Sequence, residues 1–244
     1  MSTNDDAQIG TLLSRREALG TLGAAGFALF SGTPTPPGLT EIGPCVVRPA
    51  QEEGPYFVDE RLNRSDIRRD PTTRVVSAGV PLLLTFRVSA LSRGHCAALV
   101  GADVDIWHCD ALGVYSDEVD PRAGFDARGK QFLRGFQRTN GAGSARFTTI
   151  YPGWYSGRAV HIHFKIRHAT AAGGHSDFTS QLYFNDTLSD RVHAKAPYAQ
   201  QGKGRLPNAS DDIFREQQGD RLVLNTTRRG GGYAALFDIA LALP

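Results

Sequence analysis

Apolar and β-branched residues in this chain gather in short runs set off by turn residues, which is the spacing of strands rather than of helices. The runs predicted as strands are residues 81–90, 102–109, 144–150, 159–166, 179–184 and 233–243. Gly141-Ala142-Gly143 ahead of Ser144 offers the positive-φ positions of a tight turn, and Tyr151-Pro152-Gly153 closes the strand that follows. Helical signal is sparse. Residues 211–215 form a short candidate helix with Ser210 as its expected N-cap, but they lack a sustained apolar stripe. The pattern is all-β, and the architecture it implies is a β-sandwich or a partly closed barrel. The intervals 117–131 and 195–207 exceed ordinary hairpin connections and are expected to wall a site.

Residues 1–44 read differently. Ser14-Arg15-Arg16-Glu17-Ala18-Leu19 precedes a small-residue apolar run from Gly20 to Phe30, the layout of a twin-arginine export signal. The run is too short and too weakly apolar to make a stable membrane anchor. A Pro- and Gly-rich linker follows over 35–44, so the expected organisation is signal and linker over 1–44 and one folded domain over 45–244. That layout directs the protein to the periplasm or the cell exterior. With 27 basic and 25 acidic residues interspersed and a net charge of +2, nothing suggests a nucleic-acid footprint, and a small molecule is the expected partner. Cys45, Cys96 and Cys109 permit at most one intramolecular disulfide, Cys96 with either of the others, and buried free thiols are an equal reading.

Candidate chemistry centres on Pro152-Gly153-Trp154-Tyr155-Ser156-Gly157-Arg158-Ala159-Val160-His161-Ile162-His163. On a strand, His161 and His163 project from one face while Val160, Ile162 and Phe164 project from the other. Two imidazoles so placed suit zinc, copper, iron or nickel, or else they are strand histidines bonded to neighbours. No carboxylate of a ferrous facial triad stands nearby, whereas Tyr155 leads into the same strand and Tyr115 follows another.

In chain order, Trp107-x-x-Asp110-x-x-Gly113-x-Tyr115, Pro152-Gly153-x-Tyr155, Arg158-x-x-His161-x-His163 and Ser180-Gln181-Leu182-Tyr183-Phe184 resemble the intradiol ring-cleavage dioxygenases, the family of protocatechuate and catechol dioxygenases. The resemblance runs from Cys45 through Glu53-Gly54-Pro55-Tyr56 to the last strand. It implies an Fe(III) cofactor held by Tyr115, Tyr155, His161 and His163, and cleavage of a small aromatic diol with O2 between its hydroxyl-bearing carbons to a muconate-type diacid. It further implies that Tyr155 leaves the iron when substrate binds, while Tyr115 stays. Arg158 would stabilise charge developing on the ring, Gln181 would sit near the oxygen-binding region, and Tyr56 would face the substrate. Phenolate oxygens suit ferric iron, because a trivalent cation lowers a phenol from its usual pKa of about 10.

The resemblance is to a shorter, exported branch, with the leader where catechol-type relatives carry an N-terminal helical dimerisation region, so oligomeric state is left open. Trp154 is either pocket wall or core filler, and His95, His108, His168, His175 and His193 are expected not to be ligands. Two other readings compete: a different His-x-His metalloenzyme, which needs a carboxylate or third His, and a secreted β-sandwich that binds aromatic compounds without turnover. A carboxylated catechol would need a cation. Arg134, Arg138 and Arg158 are the candidates near in sequence.

Overall fold

The computed structural model describes residues 45–121, 124–170 and 173–243. Strand β1 (Pro81–Ser92) buries Leu82, Leu84, Phe86 and Val88 in strict alternation, so one face of its pleat is apolar. It pairs in parallel with β11 (Gly232–Ala242) along one edge. Along the other edge it pairs antiparallel with β7 (Ser144–Ile150) and then β2 (His95–Ala98). Beyond β11 lies β10 (Thr226–Arg229). A second, antiparallel sheet has the order β6 (Arg134–Arg138), β3 (Asp103–Trp107), β8 (His161–Ala169) and β9 (His175–Tyr183).

The sheets meet through aromatic rings. Phe86 of β1 lies 5.3 Å from Phe164 of β8 and 5.7 Å from Phe237 of β11, which are 5.5 Å from each other. The sheets do not close into a barrel, so of the two expected architectures the chain adopts the β-sandwich. Its second sheet also has an outer face, opposite the shared core, and that face is where the predicted site residues lie.

Several boundaries depart from the sequence expectation. β8 begins at His161 rather than 159, and β9 begins at His175, because its first half is exposed and polar and carries no apolar signal. β6 escaped prediction for a similar reason: it alternates Arg134, Phe136 and Arg138 on a face that is not the sandwich core. The interval 117–131 contains a small hairpin, β4 (Val119–Asp120) with β5 (Phe125–Asp126). Helix α1 (Asp186–His193) was not expected either. Its burial is confined to Leu188, Ser189 and Val192, and Asn185 caps it by accepting a hydrogen bond from the Leu188 amide at 3.1 Å. Helix α2 (Asp212–Glu216) is capped by Asp211 and not by Ser210, which is absorbed into a preceding 3-10 turn.

Cys45 is disulfide-bonded to Cys96, which ties the start of the domain to β2, and Cys109 is free and buried. A cross-link spanning 51 residues is worth about 4 kcal/mol in loop-closure entropy. Among the described residues no helix is long and apolar enough to cross a membrane.

Candidate metal centre

The pleat of β8 sends Ile162, Phe164 and Ile166 into the sandwich and turns His161 and His163 to the outer face, where both are still buried. Register places Trp107 and Gln181 on either side of His163, and Tyr183 beside His161. The Trp107 ring stacks on the His163 imidazole at 5.0 Å and 6°. His161 Nδ1 donates to the carbonyl of Ala159 at 2.7 Å, which fixes the tautomer and leaves Nε2 as a lone pair. That nitrogen lies 3.0 Å from His163 Nε2.

Both tyrosines arrive on turns that glycine allows to touch. The Asp110 carboxylate accepts from the amides of Leu112 and Val114 at 2.8 and 3.0 Å, shaping the turn that delivers Tyr115. Gly113 adopts φ +84°, and a Cβ there would strike the Trp154 carbonyl. Gly153 has no room for a Cβ against the backbone of Asp110 and Ala111, and its amide donates to the Asp110 carbonyl at 3.0 Å. The two turns are therefore packed backbone to backbone. The Tyr155 hydroxyl reaches 3.2 Å from His161 Nε2, and that of Tyr115 reaches 3.5 Å. The predicted Tyr115, Tyr155, His161 and His163 are thus brought to one point.

Tyr56 completes the wall. Its ring stacks on Tyr115 at 4.4 Å, and its hydroxyl donates to Asp120 at 2.9 Å. Trp107, Cys109 and Tyr115 form a buried cluster of their own, against which Tyr56, Phe57, Tyr155 and, from the β4–β5 hairpin, Phe125 pack. The expectation for 117–131 as a site wall is met by Phe125. The 195–207 interval does something else: Gln201 donates to the Trp154 carbonyl at 2.6 Å, and Gly204 lies against the Trp154 ring, so this segment braces the Tyr155 turn. Trp154 itself packs on the edge of the main core.

Burial sets the electrostatics. It pushes the Tyr155 phenol up to about 12, with the nearby Arg158 guanidinium pulling the other way, and it pushes Tyr115 well above the ordinary phenol value. His161 and His163 are held well below the usual imidazole value, first by burial, with Arg158 adding to it. The oxygen and nitrogen donors of these groups converge, and His163 Nδ1 is buried without a hydrogen-bond partner among the described residues. Two phenol oxygens with two imidazole nitrogens fit a hard, highly charged metal ion that would ionise the phenols. Among the described residues no cluster of three or more His, Cys, Asp or Glu is placed to hold a metal.

Arg158 is fixed on two sides. Its Nε donates to Asp211 at 2.9 Å, and Nη2 donates to the Gln181 side-chain oxygen Oε1 at 2.5 Å and to the Tyr183 hydroxyl at 3.4 Å, while the Tyr155 phenol also lies within reach of the guanidinium. Gln181 donates its amide to the Glu52 carbonyl at 3.1 Å, so both its ends are engaged. Sequence reasoning missed Asp211, which read only as the start of a short helix. It is fully buried, and one carboxylate oxygen also accepts from the Ala159 amide at 2.7 Å. Arg134 and Arg138 are committed elsewhere, to Ser116 at 2.8 Å and to Asp103 at 2.8 Å.

The remaining histidines stand apart from the convergence point. His168 and His193 donate to the carbonyls of Ala169 and Pro152 at 3.1 and 2.9 Å, and His95 and His175 are exposed at strand starts. His108 is buried, with Nδ1 2.7 Å from the Cys109 carbonyl and Nε2 2.7 Å from the Thr149 hydroxyl, partners that a neutral imidazole satisfies by donating from Nδ1 and accepting at Nε2. Burial lowers its pKa from 6.5 to about 4. Its contribution is complete above pH 6.5 and lost as pH falls through about 4, a change of roughly 3 kcal/mol at about 1.4 kcal/mol per unit. Denaturant unfolding should show stability falling across that window, with a flatter profile in His108→Gln; equal slopes in the two proteins would remove His108 as the cause.

The dioxygenase family model matches residues 52–223. The fold is similar to that of an intradiol ring-cleavage dioxygenase from Tetranychus urticae, at 30% identity and TM-score 0.69, covering 81% of this chain and 95% of that one. It is also similar to the dioxygenase domain of a dioxygenase carbohydrate-binding protein fusion from the cellulolytic bacterium Streptomyces sp. SirexAA-E, at 29% identity and TM-score 0.56, covering 82% and 100% of the two chains. A 3-chlorocatechol 1,2-dioxygenase from Rhodococcus opacus 1CP shares the fold at 20% identity and TM-score 0.56, covering 80% of this chain and 72% of that one. Among curated protein sequences none matches the chain at a significant level. The chain belongs to the intradiol ring-cleavage dioxygenase family. It is an oxidoreductase of that class, whose members generally depend on non-haem iron.

Proposed function

We propose that the protein cleaves catechol-type rings between the two hydroxyl-bearing carbons with O2, yielding muconate-type diacids, and that Tyr115, Tyr155, His161 and His163 hold the ferric ion that the reaction requires. The observation that carries this reading is the convergence of two phenol oxygens and two imidazole nitrogens at one buried point. Ferric iron bound there would supply the Lewis acidity that favours the catecholate and makes its ring reactive towards O2.

The chain's own groups divide the remaining work. Tyr155 is partly exposed whereas Tyr115 is 1% exposed and lies under the Tyr56 ring, which favours Tyr155 as the phenol that swings aside for substrate. Its site pushes the phenol to about 12, so once displaced it takes a proton from the substrate and holds it at Oη at neutral pH. The Tyr56 ring borders the place vacated. Arg158, held by Asp211 and Gln181 beside the Tyr155 phenol, would meet negative charge on the substrate. Gln181 acts as a clamp on Arg158 rather than through a free amide.

Export through the twin-arginine route is part of the same proposal. The signal, Ser14 to Phe30, lies outside the described residues, but the Cys45–Cys96 disulfide suits an oxidising compartment. The test of function is direct. The purified protein should be red-brown from phenolate-to-iron charge transfer, should change colour with catechol, and should consume O2 with catechol, protocatechuate or hydroxyquinol to give diacids identified by mass. A colourless protein, active when loaded with zinc or ferrous iron, would falsify the proposal.

A further inference from the structure

Helix α1 sorts its charges by face. Asp186 and Asp190, four residues apart, both pair with Arg205, at 2.5 and 2.8 Å. Arg191 and Val192 lie three and four residues after Leu188 on the helix, Lys195 follows just past its C-cap, and all four line a cavity of about 830 Å³ bounded on its far side by the β10–β11 hairpin. The hairpin contributes Arg228, a third cation. The side chains of Arg191, Lys195 and Arg228 have no hydrogen-bond or ion-pair partner among the described residues, and no Asp or Glu is among the residues that line the cavity.

Arg87, Arg138, Arg158 and Arg167, by contrast, each meet a carboxylate. Here three exposed cations line one concave surface with no carboxylate among its lining residues. The side chains of Asn225 and Thr226 add hydrogen-bonding groups that have no side-chain partner among the described residues. Buried Leu188, Val192 and Leu224, with the Tyr233 ring, supply an apolar wall. No residue of the metal centre takes part in the lining.

We propose that this cavity is a binding site for a small organic dicarboxylate with an apolar body, separate from the metal centre. Charge selects the anion, since a neutral aromatic compound would leave all three cations unused. Size and the apolar wall select an organic body, since an inorganic ion would neither fill about 830 Å³ nor touch Leu188 and Val192 to advantage.

Calorimetric titration of the purified protein with isophthalate, sulfate and benzyl alcohol tests the proposal. Isophthalate is expected to bind and to weaken as salt is raised, sulfate and benzyl alcohol much less so. The surface double variant Arg191→Gln/Arg228→Gln should weaken isophthalate at least about tenfold, or ~1.4 kcal/mol, with ring-cleavage turnover unchanged. Saturating catechol under anaerobic conditions should leave isophthalate binding intact. No binding at about 10 mM isophthalate, well above the range of useful affinity, would overturn the proposal. So would equal binding of sulfate, indifference to the double variant, or displacement by catechol.

Discussion

Replacing His161 with alanine is expected to strip the protein of iron and to lower ring-cleavage turnover at least about 10³-fold, the scale of losing one member of an interdependent catalytic set. His161 Nε2 is the atom to which the other donors point: His163 at 3.0 Å, Tyr155 at 3.2 Å and Tyr115 at 3.5 Å. Its orientation is set independently of any metal by the Nδ1 bond to the Ala159 carbonyl. The loss should therefore be local, with the fold retained. Tyr155→Phe makes the complementary case, keeping the ring and removing the oxygen: it should diminish the charge-transfer band and turnover together. Metal analysis, the visible spectrum and O2 uptake provide the check, and unchanged iron content and turnover in both variants would dismiss this ligand set.

Asp211→Asn should lower turnover about 10²-fold, near 3 kcal/mol of transition-state stabilisation, with a small change in KM and full iron content. One oxygen of Asp211 accepts from Arg158 Nε at 2.9 Å and Ala159 N at 2.7 Å, while the other caps α2 through Phe214 N at 3.0 Å. An asparagine of the same shape has one acceptor and one donor, so it satisfies the helix cap or Arg158 but not both. If Asp211 works by aiming Arg158, then Asp211→Asn should add little in an Arg158→Lys background. Steady-state kinetics on the single and double variants decide it: additive losses, or a normal kcat in Asp211→Asn, would make the contact merely architectural.

His161 and His163 were legible in the sequence because a strand alternates its faces, so a His-x-His pair between apolar residues states its own geometry. Tyr115 and Tyr155 were legible through ordered motifs whose physical reason the fold supplies: Asp110 shapes one turn, and Gly113 and Gly153 let the two turns touch. Asp211 was not legible, since its partner Arg158 is 53 residues away and nothing local marks a helix cap as an anchor for arginine. Polar elements escaped for a related reason. β6 and α1 carry little apolar periodicity, and their positions are set by tertiary pairing, β6 with β3 and α1 through Arg205. Sandwich and barrel were indistinguishable because strand order depends on long-range register. The Cys45–Cys96 pairing likewise needed a Cα separation, 5.9 Å, that no spacing in the chain reveals.

The alternation of β8 has an evolutionary corollary. His161 and His163 share a strand with Ile162, Phe164 and Ile166, and they are separated from them only by parity. Inserting or deleting a single residue within that strand would reverse the parity of the residues beyond it, sending imidazoles into the hydrocarbon core or apolar side chains to the face where the tyrosines converge. A change of length within β8 is therefore expected to be costly, whereas the β4–β5 hairpin, whose Phe125 borders the site, can vary without that cost. New ring specificities in this lineage should arise by lengthening or trimming that hairpin while the strand keeps its count.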